Sequence, residues 1–338
     1  MMQAVLARIA AGRNLSVSEA SAAMELIATG KATEAQMGAF LTGLRFKGET
    51  AEEIAAFADV LQRHAISIKP RVEGILVDTC GTGGDGFGTF NISTAAALVA
   101  AGAGVTVVKH GNRKVSSSCG SADVLEALGV KVDLPPEQVS RMVENIGIGF
   151  LFAPAFHPAL RYAARARRDL GFSTVFNVLG PLLNPARASA RLLGVFDPRL
   201  TLTLAQALRT LGAKKAMVVH GDGLDEITIS GKTSVAELAN GNICQSTLTP
   251  EQFGISRAPR HMLLGHSPDQ NAAIIRGILD GVEGPARDIV VMNAGAAIYL
   301  GERASTHEEG IALAGDAITS GAAAAKLDDL IVESGRKI

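Results

Sequence analysis

A larger α/β domain with a central, largely parallel sheet flanked by helices, preceded by a small all-helical domain, is the fold this sequence predicts. Three observations predict it: helix-capping signals spaced through the first 65 residues, alternating apolar strands and helical segments from Ile75 onward, and loops rich in Gly, Ser and Lys at the strand ends. At 338 residues, 47% hydrophobic and 19% charged, the chain has the composition of a globular protein with room for two domains. The expected division is a helical domain at 1–70, open to completion by later helices, and an α/β domain at 71–338.

The helical expectation rests on three capping-box pairs, Ser16 with Glu19, Thr33 with Gln36 and Thr50 with Glu53. In each, a hydroxyl accepts from an orphan backbone N–H at the helix start while the residue three positions on reaches back. Gly30 and Gly48 read as helix stops, Ile54, Phe57, Ala58 and Leu61 repeat at helical spacing, and Pro70 is expected to end the unit. So short a segment buries little apolar surface alone, so it is expected to pack on the rest of the chain or on a second copy.

Strands are then expected at ILVDTC, GVTVVKHG, GIGFLFAP and AMVVHG, with helices after Ser93, at SADVLEALG and at HPALRYAARARRDLG. The pattern turns helical again after Ser267, with starts at Ser267/Gln270 and Ser305/Glu308, and Phe176 to Pro185 reads as a Pro-punctuated turn without chemistry of its own. Ligands of such sheets gather beyond the carboxyl ends of the strands, where the unusual loops of this chain lie.

The first of these loops, Cys80 to Thr94, joins a strand to a helix through five glycines, with Asn91, Ser93 and Thr94 at the helix start. Glycine lets backbone N–H groups approach an oxyanion, and the helix N-terminus favours negative charge, so the loop is suited to cradle phosphate. It has no Lys before its Ser/Thr, so it does not match the Walker nucleotide loop. Asp85 would repel a bare phosphate, which suggests that a metal or a sugar hydroxyl enters with it. Read alone, the stretch is equally a capped surface loop.

A second loop, Lys109 to Asp123, collects cations and hydroxyls: Lys109 is a compact charge for phosphate, Ser117 and Ser121 are hydroxyl donors, and Asn112 suits an amide-sized partner. The third, His220 to Glu226, follows an apolar strand with the adjacent carboxylates Asp225 and Glu226, hard oxygen ligands of the kind Mg²⁺ prefers when it also holds phosphates. A solvated acidic turn is the alternative for that stretch taken alone. On the helix from His157, Arg161, Arg165 and Arg168 share a face while Arg167 turns toward another, and His157 itself reads as a cap or packing residue.

Composition limits the partners. A formal charge of −1 argues against bulk nucleic-acid binding and for a small anionic ligand. Cys80, Cys119 and Cys244 are odd in number and widely spaced, which fits a reducing compartment. Neither the N-terminal apolar run nor Leu98–Val108 is long enough to span a membrane, so a cytoplasmic protein without membrane contact is expected.

Taken together, GTGGDG, NIST, KHGNR with VSS, GSADVLEALG, the HPA helix with RRDLG, FNVLGPLLNP and DGLDE stand in an order and at spacings that closely resemble the anthranilate phosphoribosyltransferases, over nearly the whole chain. The resemblance implies a helical domain bearing a homodimer interface, and phosphoribosyl pyrophosphate with Mg²⁺, as two ions, bound between the domains. It implies that Gly81, Gly84, Asp85, Thr89, Asn91, Ser93, Thr94, Lys109, Ser117 and Ser121 hold the phosphoribosyl substrate. Ser93, Asp225 and Glu226 would reach metal, and Gly81, Asn112 and Arg167 would recognise anthranilate, with no side chain serving as acid or base. Ser173 and Leu183 depart from the family's GIRT and LTNP strings. Two other classes share parts of the pattern: pyrimidine nucleoside phosphorylase, and a non-catalytic relative with a regulatory or nucleic-acid role. The acidic pair and the KHGNR loop favour the transferase.

Overall fold

Four helices open the chain: α1 (Met2–Ala10), α2 (Val17–Ala28), α3 (Glu34–Lys47) and α4 (Ala51–Arg63). The structure, a computed structural model, describes residues 1–114 and 119–336. All three capping boxes are formed at α2 to α4, with hydroxyl-to-amide distances of 3.2–3.3 Å, whereas α1 has no side-chain cap. Glu53 does more than cap: fully buried, it accepts from the Leu15 amide (2.7 Å), the Thr50 amide (2.9 Å) and Lys47 Nζ (2.8 Å), tying three segments to one carboxylate. α4 ends at Arg63 with His64 as its C-cap, and the chain between it and Pro70 is held by later segments through Ile66 N to Phe156 O and Ile68 N to Pro185 O.

The α/β part runs β1 (Leu76–Gly81), α5 (Ile92–Gly102), β2 (Thr106–Gly111), α6 (Ser121–Ala127), α7 (Pro136–Ile146) and β3 (Ile148–Phe152). It continues with α8 (Ala153–Phe156), α9 (Arg161–Leu170), α10 (Val175–Leu179), β4 (Ala190–Gly194), α11 (Leu200–Thr210), β5 (Lys215–Gly221), β6 (Thr233–Ala239) and β7 (Asn242–Leu248). Four helices close the chain: α12 (Pro268–Leu279), α13 (Pro285–Leu300), α14 (His307–Thr319) and α15 (Ala322–Gly335).

The seven strands form one sheet in the order β3-β2-β1-β4-β5-β6-β7, parallel through β5 and antiparallel for the last two pairings. From β1 the chain builds outward to β3 on one side and then returns to the other side for β4. The reversal leaves a crevice at the carboxyl end of β1, where ligands of open parallel sheets bind. Alternate residues of the central strands face opposite layers: Leu192 packs with α5 and the closing helices, and Leu193 with α1 to α4, α10 and α11. α9 and α10 share the second core with the opening helices, so the N-terminal bundle is built partly from later chain.

The structure corrects several sequence expectations. β4, at the centre of the sheet, was not foreseen, nor was the β6–β7 hairpin. The stretch expected as a turn from Phe176 contains α10, and the start of α14 is capped by Thr306 on the Glu309 amide, one residue later than the Ser305/Glu308 reading.

Candidate active site

The glycine loop leaves β1 at the crevice with positive φ at Gly83, Gly84, Gly86 and Gly88, a backbone path that residues with a Cβ rarely take. It ends at the first turn of α5. Together with the end of β2 and the acidic turn after β5, it surrounds a cavity of about 470 Å³. Gly81, Gly84, Asp85, Thr89, Asn91, Ser93, Thr94, Lys109, Ser121, Asp225 and Glu226 all line it. Ser117 lies outside the described residues. Thr94 Oγ1 is buried without a hydrogen-bond partner, which leaves a hydroxyl at the head of α5 for an incoming oxygen.

Asp225 and Glu226 are seated by two glycines. A Cβ on Gly194 would lie 1.6 Å from the Asp225 carbonyl oxygen, and one on Gly81 would lie 2.2 Å from Asp225 Oδ2. Asp225 Oδ2 accepts from the Gly83 amide (2.7 Å) and Glu226 Oε1 from the Ser93 amide (3.0 Å), so each acid also shapes an edge of the cradle. Burial, with the Asp85 charge next in size, pushes the Asp225 carboxyl up to about 7. Burial and then the Asp225 charge push Glu226 well above the usual carboxylate range, against the pull of Lys109.

Two buried acids that resist ionisation together fit a divalent cation, whose charge would remove their mutual repulsion. Among the described residues no cluster of three or more His, Cys, Asp or Glu has metal-holding geometry. The remaining ligands of such an ion would come from substrate phosphates and water, as Mg²⁺ commonly takes them.

Lys109 belongs to β2 itself, not to the loop after it, and is buried. Its Nζ donates to Thr79 O (2.5 Å) and Ser93 Oγ (3.2 Å) on the cavity floor. Burial pulls its pKa down, while Asp78, Glu226 and Asp225 oppose that shift. Asn91 is engaged at both ends of its amide, donating to Cys119 O (3.0 Å) and accepting from Asn271 Nδ2 (2.9 Å). Arg113 also lines the cavity, its guanidinium held in a bidentate pair with Glu126.

A second cavity, about 770 Å³, opens beside the first, and Cys80, Gly81, Thr82 and His110 to Asn112 line both. Its other walls come from α9, α10 and the turn to Leu183, including Leu160, Arg167, Phe172, Phe176 and Pro181. Arg167 is half-buried with its guanidinium 5.3 Å from the Phe176 ring centroid, and burial lowers its pKa, whereas Arg161, Arg165 and Arg168 are exposed. Arg167 turns inward as the helical-face reading expects, but Arg168, grouped there with the solvent-facing arginines, also lines this cavity. All three residues assigned to the aromatic substrate, Gly81, Asn112 and Arg167, line this second cavity.

Sequence reasoning missed His110 and the walls from the Phe176–Leu183 stretch. His110 packs edge-on against His157 (centroids 5.0 Å apart), and both rings are buried with Nε2 unpartnered. Burial holds His110 well below the usual histidine range and His157 at about 4, so both rings are neutral at neutral pH. The strand alternation that buries Val108 gave no sign that the residue after Lys109 would face the junction of two cavities.

A parallel sheet with an anion cradle, an acidic pair and an adjoining second cavity at its switch point forms a site suited to a phosphorylated ligand beside another small molecule. Residues 73–324 match the α/β domain of a glycosyl transferase family and residues 3–65 its helical bundle domain. An anthranilate phosphoribosyltransferase of Methanocorpusculum labreanum is 55% identical over 337 residues, covering 100% of this chain and 99% of that protein. The crystal structure of the Thermus thermophilus anthranilate phosphoribosyltransferase superposes with a TM-score of 0.93 at 43% identity, covering 98% of this chain and 99% of that one. The Saccharomyces cerevisiae enzyme, solved in complex with PRPP and Mg, gives 0.89 at 30% identity, with 98% and 97% covered. The chain belongs to the anthranilate phosphoribosyltransferases of this glycosyl transferase family.

A cation on Asp225 and Glu226 must displace a proton wherever the pair is protonated. The half-saturating Mg²⁺ concentration is therefore expected to rise as pH falls through about 7, by up to about tenfold per unit, and to flatten above it. Activity titrated with Mg²⁺ between pH 5.5 and 8.5 checks this; a Mg²⁺ requirement independent of pH would refute it.

Proposed function

We propose that the chain transfers the phosphoribosyl group of 5-phosphoribosyl 1-pyrophosphate to the amine of anthranilate, releasing pyrophosphate and forming N-(5-phosphoribosyl)anthranilate, a step of tryptophan biosynthesis. The observation that carries this reading is the meeting of two differently lined cavities at Gly81 and His110–Asn112: one beneath the glycine-loop and helix amides with Lys109 and the acidic pair, the other walled by Phe176, Pro181 and Leu183 with the half-buried Arg167 and the exposed Arg168.

In this reading the glycine-loop amides, Ser93, Thr94, Lys109 and Ser121 hold the phosphates, and Arg167 pairs with the anthranilate carboxylate while Asn112 contacts the same ring from the opposing loop. Mg²⁺ held by Asp225 and Glu226 would supply charge that stabilises the departing pyrophosphate. Lys109 and the loop amides act on the same developing charge from fixed positions, so little reorganisation is needed as the C1–oxygen bond breaks. The aromatic amine is neutral at neutral pH and attacks through its lone pair on the face opposite the leaving group. Positioning therefore dominates and no strong base is required. Two Mg²⁺ ions, the cytoplasm as compartment and a homodimer belong to the same proposal. Phe46 at the end of α3 is 88% exposed and Val17 at the start of α2 is 58% exposed, apolar surface that a second copy would cover.

A fluorescence assay of anthranilate consumption with phosphoribosyl pyrophosphate and Mg²⁺ tests the activity, and a phosphorolysis assay with pyrimidine nucleosides tests the rival. Arg167→Ala is expected to raise the KM for anthranilate by roughly tenfold or more, the scale of a lost charge-assisted bond of about 1.5–3 kcal/mol, with little change for the phosphoribosyl substrate. Lys109→Ala should show the reverse. An Arg167→Ala enzyme impaired toward the phosphoribosyl substrate alone would contradict the assignment. Light scattering at micromolar concentration should report twice the monomer mass, and a monomer would sink the dimer.

A further inference from the structure

The two phosphate loops are near neighbours in sequence, yet one wall of the first cavity is fixed from much further along the chain. The segment before α12 runs along the glycine loop: Phe90 N donates to Leu263 O (3.0 Å) and Gly265 N to Gly88 O (2.9 Å). A Cβ on Gly265 would lie 2.5 Å from Phe90 Cα and 2.4 Å from Asn271 Oδ1, so the contact is close on both sides.

Asn271, in the first turn of α12, is fully buried. Its Oδ1 accepts from the His266 amide (3.0 Å) and its Nδ2 donates to Asn91 Oδ1 (2.9 Å), while Asn91 Nδ2 donates to Cys119 O (3.0 Å). Each end of this relay is a backbone group of fixed polarity, an N–H at His266 and a C=O at Cys119. The orientation of both amides is thereby forced: Asn271 must offer its NH₂ and Asn91 must receive it. Asn91 borders the glycine loop and Cys119 lies just before α6 in the second loop, so the relay sets the distance between the two walls that face the phosphates.

We infer that Asn271 is a positioning residue for the phosphoribosyl substrate, acting through Asn91 to hold the glycine loop against the loop that leads into α6. The inference rests on the proposed function for its substrate. It assigns to α12, a helix that lines neither cavity, a share in the affinity for that substrate and none in the affinity for anthranilate.

Two variants test it in the full-length enzyme. Asn271→Leu removes both bonds at similar volume; Asn271→Asp keeps an acceptor for the His266 amide but offers Asn91 the wrong polarity. Both are expected to raise the KM for phosphoribosyl pyrophosphate roughly tenfold while leaving the KM for anthranilate within about twofold. Asn91→Ala combined with Asn271→Leu should be no worse than the more severe single change, because both break one relay. If Asn271→Leu does not fold, Asn271→Asp carries the test alone. Equal effects on both KM values, wild-type kinetics for Asn271→Asp, or additive losses in the double variant would each overturn the inference. An inactive wild-type enzyme would instead overturn the functional reading beneath it.

Discussion

Asp225 and Glu226 sit where two carboxylates are electrostatically unwelcome, desolvated side by side with Asp85 near, and much of the site follows from keeping them there. Gly81 and Gly194, the last residues of β1 and β4, lack the Cβ atoms that would exclude the acidic turn. The turn in turn fixes the Gly83 and Ser93 amides at two edges of the cradle. Three strands that are separate in sequence are thus locked at their carboxyl ends by backbone contact and carboxylate hydrogen bonds. Burial and the neighbouring carboxylates raise both carboxyl pKa values in that arrangement.

A second buried network ties the two cavities together beneath the sheet ends. Asp78 Oδ1 accepts from the His110 amide (3.1 Å) and Oδ2 from Asn184 Nδ2 (2.7 Å), and Asn184 also donates to Val108 O (2.7 Å). Arg191, the β4 partner of Asp78 in the sheet register, donates to Pro181 O (2.8 Å). The turn that walls the aromatic cavity is therefore pinned to the strands that end at the phosphate cavity. Apolar side chains could fill the same volume, so the polar groups fix where the Pro181–Asn184 turn sits more than they add stability.

What the sequence made legible is what is encoded locally. The capping boxes of α2 to α4 need only residues three apart, and the glycine loop and acidic pair carry their chemistry in contiguous strings. Where local signals were degenerate, the reading slipped: Ser305 and Thr306 precede Glu308 and Glu309 at the same spacing, and the structure uses the second pair. β4 is five residues, all buried, with no alternation to mark it beside the Pro-rich turn before it. The β6–β7 hairpin escaped because β7 is largely exposed and polar. Asn271 had no local signal at all, since its partner lies 180 residues away.

The central claim is that the acidic pair is held at a cost to stability that a cation relieves. A group whose folded pKa is raised, as at Asp225 from 3.8 to about 7, contributes stability in full below the unfolded value and loses it as pH rises through the folded one. Replacing the pair by Asp225→Asn with Glu226→Gln keeps acceptors for the Gly83 and Ser93 amides and removes the charges. The decisive measurement is urea unfolding of this double variant and the wild type in chelator at pH 8 and pH 5, beside their Mg²⁺-dependent turnover. The account predicts a variant more stable than the wild type at pH 8, with a smaller difference at pH 5, and nearly without turnover. A variant less stable at pH 8, or one that retains turnover, would contradict it.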